Sequence, residues 1–170
     1  MDIDARDAAP GLLRLIQSFA NSLSADDAVD LLGTREEAAA WLRTAVLLPA
    51  EAGLSNSEHG ALLRLRDSIR DILAAHTGAR EDAEAAGRLT KALADGRLVL
   101  IVDAASTVQL ASAARASYAH VVASFAVAVA KSAAAGTWLR LKACRDPHCG
   151  QAFYDDSAAA DAERCSQHAA

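Results

Sequence analysis

Apolar residues recur along this chain at helical spacing. Leu12, Leu13, Leu15, Ile16 and Phe19 form one stripe after the Pro10-Gly11 punctuation, and Leu62, Leu63, Leu65, Ile69, Ile72 and Leu73 form a longer one. A 3.6-residue period buries one side of a helix and leaves the other wet, so these stretches read as amphipathic helices. Aromatics make up only 4% of a sequence that is 52% hydrophobic, and alanine supplies much of the difference. Small side chains let helices pack closely, which favours a helical core over a sheet sandwich. The expected fold class is mainly α with a minor β part (α+β).

Local signals divide the chain further. Asn21-Ser22 marks a turn after the first helix, and a short apolar piece, Val29 to Leu32, leads to Gly33. Thr34 and Glu37 have capping-box spacing and predict a helix to about Leu47, before Pro49. Ser55 or Ser57 caps the long helix that ends near Thr77-Gly78, and residues 80 to 94 predict another. Gly96 then breaks the helical period. Leu98 to Val102 and Thr107 to Leu110 predict a β-hairpin turning through Asp103 to Ser106. A central core helix with Val121, Val122, Phe125 and Val129 is expected from Ser112 to Ala135, ending at Gly136.

The net charge is −5 and the sequence pI about 5.5, against a generally basic nucleic-acid surface. The opening, MDIDARDAAP, is acidic where a secretory leader would be basic. The longest apolar stretch, Ala119 to Ala130, is too short for a bilayer and holds His120 and Ser124. A cytoplasmic location with no membrane partner is expected. Phosphate-binding glycine loops, nucleophile elbows and paired-carboxylate motifs are absent, and His59, His76 and His120 are scattered, so no catalytic residue is expected. Arg66 and Arg70 stand one helical turn apart, where they either clamp an anionic ligand or form a solvated face with Asp67 and Asp71. Asn21 is either a pocket residue or a helix C-cap.

All three cysteines lie near the end. Cys144 and Cys149 flank a turn containing Pro147; Cys165 and His168, three positions apart, follow. Two such turns can bring three thiolates and an imidazole into a tetrahedral shell, and the softness of the set favours zinc. His148 competes as fourth ligand but sits beside Cys149, and adjacent residues rarely reach one ion. The alternative is three unliganded thiols in a frayed tail. A thiol nucleophile needs a base or positive charge nearby, whereas Asp146 and Glu163 are acidic.

The segment carries a more specific pattern: Arg140-Leu141-Lys142-x-Cys144, Pro147-x-Cys149, Phe153-Tyr154-Asp155, Ser157 and Cys165-Ser166. It resembles the CGNR zinc-finger family, in which a zinc knuckle follows an ABATE domain associated with stress-induced transcription regulation. Leu13 to Ser22 resembles the ABATE opening, and Trp41-Leu42, Arg66 to Leu73 and the hairpin-to-helix region follow in the expected order. The resemblance implies an ABATE-like helical domain over 1–140 and a partial CGNR-type knuckle over 141–170. It implies a transcription regulator whose helical domain senses a small molecule or pairs with a second copy, while the zinc knuckle serves as output. The chain departs from the family where Cys-Gly-Asn-Arg is missing, and the family's fourth cysteine falls at Ala170. The family's basic stretch is replaced by Asp156 to Glu163. From Cys144 to Ala170, Arg145 and Arg164 stand against Asp146, Asp155, Asp156, Asp161 and Glu163, a net of −3. Weak DNA binding is therefore expected. The alternative function is a stand-alone ligand-binding or dimerisation module that has lost DNA binding.

Overall fold

The computed structural model describes residues 5–24, 29–78 and 81–169. Residue 80, where one helix was expected to start, and Ala170 lie outside them. Five α-helices are described: α1 (Leu13–Ala20), α2 (Arg35–Thr44), α3 (Asn56–Thr77), α4 (Ala83–Leu93) and α5 (Tyr118–Ala134). Two antiparallel hairpins complete the fold, β1 (Leu98–Val102) with β2 (Val108–Ser112), and β3 (Leu141–Ala143) with β4 (Ala152–Tyr154). The class is mainly α with small β elements. No helix among the described residues is long and apolar enough to cross a membrane.

Helix starts follow the capping signals. The Thr34 and Ser55 side chains accept from the N–H groups of Glu37 and Glu58, whose carboxylates accept in return from the Thr34 and Ser55 N–H groups. Two of the four orphan donors at each helix start are thereby satisfied. The core sits among α1, α3 and α5, with α4 against α3 and α5. Ile16, Phe19, Leu65, Ile69, Val121 and Phe125 have no solvent exposure. The rings of Phe19 and Phe125 lie 4.5 Å apart, and Trp41 reaches Phe19 at 5.5 Å.

Three expected boundaries move. Helix α2 stops at Thr44, because Val46 takes a left-handed conformation (φ 59°) well before Pro49. The second hairpin strand is Val108–Ser112, not Thr107–Leu110. Helix α5 starts at Tyr118, not Ser112: the preceding backbone pairs with β1, and Ala116 is left-handed at φ 55°. Gly96 has a packing reason to be glycine. A Cβ there would meet the Ala123 backbone of α5 at 2.9 Å. The β3–β4 hairpin has only three residues per strand, too few for a period to show.

Candidate metal centre

Strand β3 runs along α3, its Leu141 buried in the main core. Ala143 donates to the Thr77 hydroxyl, which donates back to the Ala143 carbonyl, and His76 Nδ1 donates to the Leu141 carbonyl at 2.8 Å. Burial, chiefly, and then the Lys142 ammonium hold the His76 ring below its usual pKa. The chain beyond β3 is thus aimed from a fixed point. Cys144 follows β3 directly, and its N–H donates to the Gln151 carbonyl, closing the 144–151 turn. Inside that turn Cys149 donates to the Asp146 carbonyl, and His148 donates from its backbone to the Asp146 carboxylate. Gly150 takes φ 56°, the left-handed region that glycine enters most easily, and the Gln151 N–H turns toward the Cys149 sulfur.

The second turn is built differently. His168 and Ala169 both donate to the Cys165 carbonyl at 2.9 Å, one helical turn that brings Cys165 and His168 to the same side. Between the two turns lies a loop without helix, tied down by polar contacts. Lys142 and Asp155, both buried, form an ion pair at 2.8 Å. The Lys142 ammonium also donates to the Ala160 and Ala162 carbonyls, while Asp155 accepts from Ser157 and from the Ala162 N–H. Burial alone would raise the Asp155 pKa; the Lys142 and Ser157 hydrogen bonds outweigh it and hold the carboxyl below its ordinary value. Arg140 donates to the Asp155 and Ser157 carbonyls.

The two turns meet. Cys144, Cys149 and Cys165 are buried, His168 is half-buried, and their four ligand atoms lie within 4.8 Å of one another. The Cys149 and Cys165 sulfurs are 3.8 Å apart, and His168 Nδ1 stands 3.3 Å from Cys165 Sγ and 3.9 Å from Cys144 Sγ. Zinc bonds of about 2.3 Å to sulfur and about 2.0 Å to imidazole put tetrahedral ligand atoms roughly 3.5–3.8 Å apart. The set fits. Burial pushes the Cys149 thiol up to about 12, and Cys165 rises for the same reason. Those are not the lowered values of an activated nucleophile, and a divalent cation is the charge that would offset three crowded thiolates. His148 is exposed.

The remaining candidates are placed within the fold. Asn21 caps α1, and its side-chain amide donates to the Ala152 carbonyl at 2.9 Å and accepts from the Ala152 N–H at 2.7 Å. Arg66 is buried, not on a solvated face, and binds both carboxylate oxygens of Asp30. Arg70 donates to the Ala20 carbonyl and borders a groove of about 400 Å³ with Thr77, Cys144, Arg145 and Gly150. Asp7 and Gln17 were missed by sequence reasoning. The buried Asp7 carboxylate accepts from the Ser166 N–H and hydroxyl, and Gln17 donates to the Asp7 and Ala152 carbonyls. A buried Gln on an otherwise apolar helix face is the one local signal that pointed there.

Residues 13–143 match the model of the ABATE family, described as "putative stress-induced transcription regulator". No curated protein matches the chain. With more than half its length matched, the chain belongs to the ABATE family.

Proposed function

We propose that this protein regulates transcription in the cytoplasm, with a helical domain that receives a signal and a C-terminal knuckle held by zinc. Cys144, Cys149, Cys165 and His168 would hold the ion, which would act as a structural cross-link between the two turns. The observation that carries this reading is the convergence of four soft donor atoms within 4.8 Å. N–H groups aimed at the sulfurs support it: Cys165 donates to Cys144 Sγ at 3.5 Å. Elemental analysis of protein purified without chelator tests it. Roughly one equivalent of zinc is expected, lost in Cys149→Ser together with a lowered melting temperature. Less than about a tenth of an equivalent in the unaltered protein, with melting insensitive to chelator, overturns the assignment.

A second reading keeps the fold and drops the DNA contact: a ligand-binding or dimerisation module. Two cations of the knuckle favour it, one turned inward and one paired, while Arg164 is exposed. Lys142 is buried on Asp155, and Arg145 binds both Glu163 oxygens. A gel shift separates the two readings.

A further inference from the structure

Strand β1 is apolar at all five positions and exposed at all five. Its hairpin packs on α5 through β2, which leaves β1 on the outside with one neighbour. Leu100, Val102 and Val108 are 69%, 63% and 61% exposed. The antiparallel bonds from Ala113 to Arg97 and from Asp103 to Thr107 fix the alternation. They turn the N–H and C=O groups of Leu98, Leu100 and Val102 away from β2. Natural proteins guard such an edge with charge, proline or a bulge, and a two-stranded ribbon is marginal alone. This edge has none of those guards.

We propose that the outer edge of β1 pairs antiparallel with β1 of a second copy of this chain, across a two-fold axis at Leu100. The sequence is self-complementary about that point. Leu100 faces its own copy, Leu98 faces Val102, and Arg97 faces Asp103. Arg97 is exposed, and the hairpin turn uses one Asp103 carboxylate oxygen, Oδ1, which accepts from Ala105 and Thr107. Opposite charges therefore meet at both ends, at the non-hydrogen-bonded positions where side chains approach most closely. The ribbon becomes a four-stranded sheet with order β2-β1-β1-β2. Leu98 to Val102 expose on the order of 400 Å² of apolar surface per copy, of which an edge pairing covers a part, so the interface is small and weak. The interface is isologous and closes at two copies. It does not depend on the zinc reading, since the hairpin packs on α5 and the knuckle on α3.

Sedimentation of the full chain over roughly 1–200 µM is the test. A monomer–dimer equilibrium is expected. Leu100→Lys and Leu100→Pro should each weaken it at least about tenfold with circular dichroism unchanged, because proline deletes only an outward N–H. Arg97→Glu, which leaves the apolar surface intact, should weaken it at low salt and less at high salt. A monomer at every concentration overturns the proposal, including the case in which another protein's strand covers the edge. A dimer indifferent to all three substitutions overturns it too, by placing the interface elsewhere.

Discussion

The Asn21 amide exchanges two hydrogen bonds with the Ala152 peptide group, so it acts as a third strand one residue wide. Asn21→Ala would leave a buried N–H without a partner and remove one of the donors to the Ala152 carbonyl. A loss of about 1–3 kcal/mol in chemical denaturation is expected, and, on the proposed zinc reading, faster metal release to a colorimetric chelator. An unchanged midpoint would mean that the amide serves something outside the fold. The capping role of Asn21 is legible from its place after a helical stripe. Its partner is not, because Ala152 is 131 positions away and nothing local encodes it. Arg66 has the same history: the sequence offers Asp67 beside it, which does lie 3.7 Å from its Nε, while the bidentate partner is the distant Asp30. Lys142 and Asp155 stand out only through the family pattern, and as residue types. That both would be buried follows from packing against α3 and the 157–162 loop, which no spacing rule anticipates.

Elements are more legible where chain-local energies decide them. The Thr34–Glu37 and Ser55–Glu58 boxes place two helix starts, and Asp103 and Ser106 make the hairpin turn, Ser106 at φ 61°. The start of α5 is illegible for a physical reason. Residues 111 to 116, Ala-Ser-Ala-Ala-Arg-Ala, have good helix propensity, and pairing with β1 overrides it. The interior of α5 is where propensity and packing agree. Phe125 has no exposure and lies 4.5 Å from Phe19, at the contact of α5 with α1. Phe125→Ala should cost about 3–5 kcal/mol, since α1, α3 and α5 meet there and cannot all collapse into the gap. A loss below about 1 kcal/mol would place the ring outside the core.

Across the whole molecule, charge decides what kind of partner the chain can take. The net is −5, and the terminal segment is the part that the family resemblance assigns to DNA. A phosphate-reading surface needs cations free to displace counterions. In that region Lys142 is buried against Asp155, Arg140 donates to two backbone carbonyls, and Arg145 is bound to Glu163. The acidic balance thus comes with Lys142 and Arg140 committed inside the fold and Arg145 paired at the surface, which leaves Arg164 as the exposed cation of the terminal segment. Pairing through β1 would not reverse this, since a second copy adds the same charge again. Duplex DNA should accordingly bind with a dissociation constant weaker than about 10 µM at physiological salt, with no preference among sequences. Electrophoretic mobility shift at low salt, repeated as salt rises, measures both affinity and its salt slope. A shallow slope with weak affinity fits a chain offering few phosphate contacts. Nanomolar binding to one sequence would require more basic surface than the exposed Arg164 and the surface-paired Arg145 supply, and would return the knuckle to the role of a DNA-reading arm.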